Sequence, residues 1–130
     1  MVVDTSAPVA VLLNEPTAGR LLGVLDSTPD LVMSTAALVE ASTVMYGRSG
    51  DDGVVQLDLL LDRAEIGVVD VTREHALLAR AAFTVFGKGQ HPAALNFGDC
   101  FSYALAVELK EPPLFVGDDF ARTGVPVAAY

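Results

Sequence analysis

Residues 66–86 read IGVVDVTREHALLARAAFTVF, a β-branched run followed by a segment that a helix can occupy. The β-branched run over residues 66–71 predicts a strand buried within a parallel sheet. Thr72 can cap a helix that extends to about Phe86, and Glu74 in the first turn is favourable near the positive end of the helix dipole. This strand-then-helix unit indicates an α/β architecture.

The same alternation of strand and helix continues on both sides of this unit. Three further strands are predicted, over residues 1–3, 31–33 and 113–116, and residues 125–128 are predicted to form an edge strand. Helices are predicted between them: residues 6–14, 17–25, 34–46, 51–63 and 99–109. Gly47 and Gly50 should separate the two middle helices. We therefore predict one domain over residues 1–130, folded as a three-layer α/β/α sandwich with a mostly parallel central sheet.

The composition fits a folded domain with its own core. Of 130 residues, 52% are hydrophobic and 19% are charged, which argues against disorder. No apolar run approaches the roughly 20 residues that a transmembrane helix needs, and no basic segment precedes the first apolar stretch, which argues against a signal peptide. The single cysteine, Cys100, excludes an internal disulfide framework and suits a reducing compartment. The sequence thus predicts a cytoplasmic protein without a membrane segment.

The charge of the chain is strongly negative. Its 17 acidic and 8 basic residues give a formal net charge of −9, which argues against nonspecific nucleic-acid binding because phosphate affinity depends on Lys and Arg. Two interpretations stay open. The acids could form an ordinary solvated surface, or some could cluster to hold cations and attract a basic protein partner.

Several acids lie where the predicted strands end and helices begin. Asp4 follows the first strand, Asp118 and Asp119 follow the strand at 113–116, Asp99 opens a helix, and Glu40 lies in the helix after the second strand. Right-handed crossovers bring these positions to one edge of the sheet, where open α/β sheets bind ligands. Four segments can therefore bring a carboxylate to one cleft. Taken singly, Asp4, Asp99 and Asp118 could equally be helix caps.

Glu40 is the acid that is hardest to explain as a cap. Its helical neighbours are all uncharged: Ala36, Ala37, Thr43 and Val44. Burying an unpaired carboxylate is costly, so this side chain should be protonated, or should meet either an Arg from another helix or a cation.

A divalent cation would resolve the repulsion among gathered carboxylates, which otherwise raise one another's pKa values. Mg²⁺ prefers hard oxygen ligands and can activate water for phosphodiester hydrolysis. His75, His91 and Cys100 are scattered along the chain, which argues against a zinc site.

Four segments of the chain resemble the signatures of one family. They are MVVDTSA (1–7), STAALVEA (34–41), GKGQHPAALNFGDCFSYALA (87–106) and LFVGDDFARTG (114–124). In this order, and over nearly the whole chain, they are similar to VapC toxins, the PIN-domain ribonucleases of bacterial toxin–antitoxin pairs. The third segment is the most specific of the four.

The resemblance implies the toxin of a type II toxin–antitoxin system, a magnesium-dependent endoribonuclease for which Mn²⁺ is an alternative ion. The family's catalytic quartet of acids maps to Asp4, Glu40, Asp99 and one member of the Asp118–Asp119 pair. The family pattern favours Asp119, and the position at the strand end suits Asp118 equally well. The implied metal ligands are Asp4, Asp99 and Asp119, with Glu40 holding or orienting a water.

The resemblance also implies an RNA substrate, a VapB-type antitoxin that places a basic side chain into the acidic site, and a homodimer. Ser6 matches a residue that hydrogen-bonds within this site. On the substrate side we predict that Lys88, His91 and Arg122 contact RNA phosphates. One departure is Gly124, where similar proteins commonly have Asp, which puts the outer part of the site in question.

Three other functions fit parts of the same sequence. A phosphoryl-accepting receiver domain could use Asp70 as the acceptor, but it needs an acidic pair after the first strand and a Lys near the last. A haloacid-dehalogenase-like phosphatase needs Asp-x-Asp where this chain has Asp4-Thr5-Ser6. A noncatalytic PIN-fold module that only binds an antitoxin is disfavoured by the intact acids.

Overall fold

The computed structural model describes all residues, 1–130. Four short strands alternate with five α-helices, and a short 3₁₀-helix lies near the C-terminus. In chain order they are β1 (Val2–Val3), α1 (Ser6–Leu12), α2 (Ala18–Ser27), β2 (Val32–Ser34), α3 (Thr35–Arg63), β3 (Gly67–Val69), α4 (Arg73–Phe86), α5 (Phe97–Leu109), β4 (Pro113–Leu114) and the 3₁₀-helix (Phe120–Thr123). None of the helices combines the length and apolarity needed to cross a membrane.

The four strands form one parallel sheet in the order β3-β2-β1-β4. β1 is central and pairs with both β2 and β4, with Val2 opposite Val32 on one side and Pro113 on the other. Because every pairing is parallel, the carboxyl ends of all four strands lie at the same edge. This arrangement confirms the predicted parallel sheet.

Helices cover both faces of the sheet, which confirms the predicted three-layer sandwich. Successive side chains of a strand point to opposite faces, and β1 shows the consequence. Val3 belongs to a core of 16 buried residues that includes side chains of α1, α2 and α3. Val2 packs on the other face, against Leu105 and Ala106 of α5. Two adjacent valines thus anchor the sheet to both helical layers.

Two predicted strands differ from the structure. The run at 66–71 was predicted to be a buried strand, but β3 lies at the edge of the sheet and Val68 is 44% exposed. Within that run, Ile66 is the residue that reaches the main core. Residues 125–128 form no strand; the N–H of Ala128 donates to the carbonyl of Pro113 at 3.1 Å and holds the tail beside β4.

The two middle helices are joined into one long helix with a kink. The predicted break is present at Gly50, whose φ of 60° and ψ of −144° are not helical and suit glycine. Gly53 follows one turn later and is buried against the first half of α3. A Cβ added at Gly53 would overlap the carbonyl oxygen of Met45, so the kink brings backbone against backbone.

This packing predicts opposite effects for two alanine substitutions in α3. Gly53→Ala should lower the free energy of unfolding by about 1–3 kcal/mol, because the backbone must move to admit the methyl group. Gly47→Ala is the control, since no atom lies within 4 Å of its added Cβ. It should raise the free energy of unfolding by about 0.5–1 kcal/mol through helix propensity. Urea unfolding measures both values, and equal stability of the two variants would contradict the close contact.

Candidate active site

Carboxylates from four segments meet near Asp99 in the first turn of α5. Asp4 directly follows β1, Glu40 lies in the second turn of α3, and Asp119 immediately precedes the 3₁₀-helix. The negative charges of Asp4, Asp119 and Glu40 each raise the pKa of Asp99. The fold thus brings together the acids that the sequence placed at the carboxyl edge of the sheet.

The two acids of the Asp118–Asp119 pair differ in their effect on Asp99. Both side chains are exposed, but Asp119, and not Asp118, is among the charges that act on Asp99. Asp119 therefore lies close enough to Asp99 to act on its charge, and its assignment as the fourth acid stays a prediction.

Asp4 is buried and held by three hydrogen bonds. Its Oδ2 accepts from the backbone N–H of Ser6 at 3.0 Å and from the Ser6 hydroxyl at 2.7 Å. Its Oδ1 accepts from the Ser102 hydroxyl at 2.7 Å. Ser6 Oγ in turn accepts from the N–H of Val116, just beyond β4, at 2.9 Å. These bonds fix the Asp4 carboxylate and connect it to two other segments of the fold.

The prediction that Asp99 opens α5 is wrong: the helix begins at Phe97, and Asp99 lies in its first turn. Asn96 is the N-cap: its Oδ1 accepts from the Asp99 N–H at 2.9 Å, and Asp99 Oδ2 accepts from the Asn96 N–H at 2.7 Å. This reciprocal pair is a capping box, so Asp99 helps to cap the helix and still belongs to the acidic group.

The Asp99 carboxyl is electrostatically unfavourable in its ionised form. Burial raises its pKa from 3.8 to about 6, and the charges of Asp4, Asp119 and Glu40 contribute to the rise. The N–H of Asn96 acts in the opposite direction, because a hydrogen bond to the charged form favours it. No Lys or Arg contributes to lowering this pKa, so the protein supplies no cation of its own here.

Glu40 is half-buried and has no Lys or Arg within salt-bridge distance, which removes the alternative of a distant Arg. The Thr5 hydroxyl lies 2.8 Å from Glu40 Oε2 and 3.0 Å from the carbonyl of Ala37, to either of which it can donate. The carboxylate also lies against Gly98, where an added Cβ would overlap it. Glycine at this position therefore makes room for Glu40 beside Asp99.

The acids do not form a closed set of direct metal ligands. No three His, Cys, Asp or Glu side chains are grouped as they would be around one ion, so Asp4, Asp99 and Asp119 do not converge as tightly as three direct ligands would. Mg²⁺ commonly binds through one or two carboxylates and keeps several waters. The all-oxygen donors and the repulsion at Asp99 fit an ion held in that way.

Comparison with known proteins decides the family. The family model for the PIN domain matches residues 1–126. Ribonuclease VapC30 of Mycobacterium tuberculosis is 45% identical over 129 residues, covering 99% of this chain and 98% of that protein. Ribonuclease VapC of Mycolicibacterium smegmatis is 47% identical over 125 residues, covering 96% and 97%. The chain belongs to the VapC family of PIN-domain ribonucleases.

Solved structures of this family show the same fold. The crystal structure of VapC20 of M. tuberculosis, a sarcin-ricin loop cleaving toxin, has a TM-score of 0.80 at 20% identity and covers 99% of this chain and 98% of its own. VapBC2 of Rickettsia felis, bound to a DNA fragment from its promoter, has a TM-score of 0.74 at 16% identity and covers 97% and 94%. The predicted PIN fold is thereby confirmed.

The predicted substrate-binding residues of this PIN domain differ in their surroundings. Lys88 is exposed and forms no ion pair. His91 accepts a backbone N–H of its own loop at 3.0 Å and packs edge-on against Phe86, with ring centroids 5.2 Å apart. Arg122 donates to the carbonyl of Pro92 at 3.1 Å. His91 and Arg122 therefore make contacts within the loop before α5. Lys88 and Arg122 both carry a charge that no ion pair neutralises.

Sequence analysis of this PIN domain missed Thr5, Asn96 and Ser102. Asn96 lies three residues before Asp99, which is the spacing of a capping box. Ser102 lies three residues after Asp99, so the two share a helix face, and it is the polar residue in the otherwise apolar stretch CFSYALA (100–106). Both signals were present in the sequence. Thr5 carried no comparable signal, because its contact with Glu40 spans 35 positions.

The charge at Asp99 predicts that the metal-free PIN domain is more stable at neutral pH when Asp99 is replaced by Asn. The folded-state pKa of about 6 lies above the ordinary 3.8, so protonated Asp99 contributes stability below about pH 4 that is lost as the pH rises through 6. Asn keeps an acceptor for the Asn96 N–H but carries no charge.

Thermal unfolding in chelator measures this effect from about pH 4 to about pH 8. Asp99→Asn should melt above wild type at the high end and close to it at the low end. Asp118→Asn is the control, since it removes a negative charge that is not among those acting on Asp99. A lower melting temperature of Asp99→Asn at neutral pH, or a difference that is the same at every pH, would contradict the interpretation.

Proposed function

We propose that this PIN domain is a magnesium-dependent endoribonuclease, the toxin of a type II toxin–antitoxin system, which hydrolyses RNA phosphodiester bonds. The observation that carries the proposal is the meeting of Asp4, Glu40 and Asp119 around buried Asp99, with no basic side chain to neutralise them. Relatives that are 45% and 47% identical over nearly the whole chain are named ribonucleases, which supports the same activity here.

Asp4, Asp99 and Asp119 would hold the cation, one or two of them directly and the rest through waters that the ion keeps. When bound, Mg²⁺ supplies the charge that lets these acids ionise together, polarises a phosphoryl oxygen and lowers the pKa of water. The other steps belong to the protein. Glu40 Oε2 lies within hydrogen-bond distance of Thr5, which leaves Oε1 to accept a hydrogen bond from the attacking water and orient it. Lys88 would contact a phosphate of the RNA.

Water, and not a protein side chain, is the proposed nucleophile. Cys100 lies next to Asp99, but it is only 3% exposed. Burial, with a smaller contribution from the charge of Asp99, raises the pKa of its thiol to about 11. Because the thiolate is the reactive form, Cys100 is inert at neutral pH and packs in a small core cluster with Ala79 and Ala104.

A VapB-type antitoxin is the proposed inhibitor. The net charge of −9 suits a basic partner, and a side chain with a positive charge would satisfy the acids around Asp99 in place of a metal ion. A VapBC complex among the structural neighbours supports this kind of partner. The homodimer stays a prediction, and the apolar side chains exposed on the helices beside the site are available to it: Val39, Phe83 and Phe97.

The receiver-domain alternative loses support from the topology. Its acceptor candidate, Asp70, is exposed and follows β3 at the sheet edge, two strands away from β1 and Asp4. Asp70 is also not among the charges that act on Asp99, so it stands apart from the acidic group.

RNA cleavage by single Asn variants tests the proposal and separates the two neighbouring acids. Wild type should cleave labelled RNA with Mg²⁺, or with Mn²⁺, and not with chelator. Asp119→Asn should lower the rate by roughly 100-fold or more, because loss of a ligand should cost at least as much as loss of a supporting group around a metal. Asp118→Asn is the matched control. Because Asp118 is not among the charges that act on Asp99, the cleavage rate of this variant should stay within about threefold of wild type.

The variants should first be shown to melt like wild type, so that a lost fold is not mistaken for a lost site. Cleavage that persists in chelator would contradict metal dependence. The reverse pattern, with Asp118→Asn inactive and Asp119→Asn active, would contradict the assignment of Asp119.

A further inference from the structure

Ser102 directs its hydroxyl away from its own helix. In this protein Ser27, Ser42 and Thr84 each donate to the carbonyl four residues back, at 2.7, 2.7 and 3.0 Å, as hydroxyls within helices commonly do. Ser102 instead donates across the fold to Asp4 Oδ1 at 2.7 Å, over 98 positions of sequence. The Ser102 hydroxyl therefore donates to a specific carboxylate of the acidic group and not to a backbone carbonyl of its own helix.

Both ends of this hydrogen bond are buried. Ser102 is 0% and Asp4 is 3% exposed, so bulk water cannot easily replace the hydroxyl. Removing it would leave a buried carboxylate oxygen without its protein donor, which is among the costlier changes to a polar group.

The hydrogen bonds on Asp4 leave one position for a ligand. An ionised carboxylate offers about four lone-pair positions. On Oδ2, both are used by the N–H and the hydroxyl of Ser6, and on Oδ1 one is used by Ser102. The remaining lone pair is on Oδ1, so Asp4 can offer a cation a single oxygen, in a direction that Ser102 helps to set.

We propose that Ser102 is a positioning residue that orients Asp4 Oδ1 toward a divalent cation with oxygen ligands, an inference that rests on the metal-dependent function proposed above. Asp99 and Ser102 lie three residues apart on one face of α5. The helix thus places its own carboxylate and, from the same face, fixes a second one, that of Asp4, which follows β1. Movement of α5 would change both ligands together.

The test compares Mg²⁺ binding by wild type and by variants of the full chain, in the absence of RNA. Binding is followed as the rise in melting temperature with Mg²⁺ concentration. Ser102→Ala should bind Mg²⁺ about tenfold more weakly or worse, the usual cost of losing a group that orients a metal ligand. Ser102→Cys, similar in shape but a weak donor, should also weaken binding. Ser42→Ala is the matched control: it loses a helical hydroxyl that contacts no acid, and it should match wild type.

RNA cleavage provides the second readout. In Ser102→Ala the Mg²⁺ concentration for half-maximal rate should rise while the KM for RNA stays unchanged, and the rate should recover at high Mg²⁺. Wild-type Mg²⁺ affinity in a folded Ser102 variant would overturn the proposal. Failure of both variants to fold in saturating Mg²⁺ would do the same, because it would assign Ser102 a structural role. Wild type that binds Mg²⁺ but cleaves no RNA would instead contradict the proposed function.

Discussion

The acidic group depends on a carboxyl that the fold places where ionisation is unfavourable. Asp99 is buried, and three carboxylates from other segments raise its pKa further, to about 6. Its capping box with Asn96 keeps it there, since the N–H of Asn96 would lose its acceptor if the Asp99 side chain turned away. Because the side chain is held in place, the repulsion is relieved by protonation of a carboxyl or by binding of a cation. The proposed metal dependence rests on this constraint.

The parallel sheet is what brings the acids together. β1 is central, and its two valines attach it to both helical layers, so the residue that follows it is fixed from both sides. Asp4 is that residue, and Ser6 and Ser102 hold its two oxygens. Free energy from burial of the apolar core offsets the electrostatic cost of the site, which is a common relation between stability and function in proteins.

Much of this could be predicted from sequence, because strand ends and helix starts follow local patterns. The α/β order and the positions of Asp4 and Asp99 are of this kind. The edge position of β3 could not be predicted, since a β-branched run indicates a strand but not its neighbours. The contact between Ser102 and Asp4 is non-local. Which of the neighbouring acids Asp118 and Asp119 lies nearer to Asp99 depends on the conformation of one turn. These features depend on tertiary packing.

The most direct test of the account is the pH titration of the Asp99 side-chain carboxyl, followed by its ¹³C chemical shift in chelator and in saturating Mg²⁺. We expect a midpoint near pH 6 without metal and one below about 4 when the cation is bound, because a nearby positive charge favours the ionised form. A metal-free midpoint near the ordinary 3.8, with no response to Mg²⁺, would contradict it.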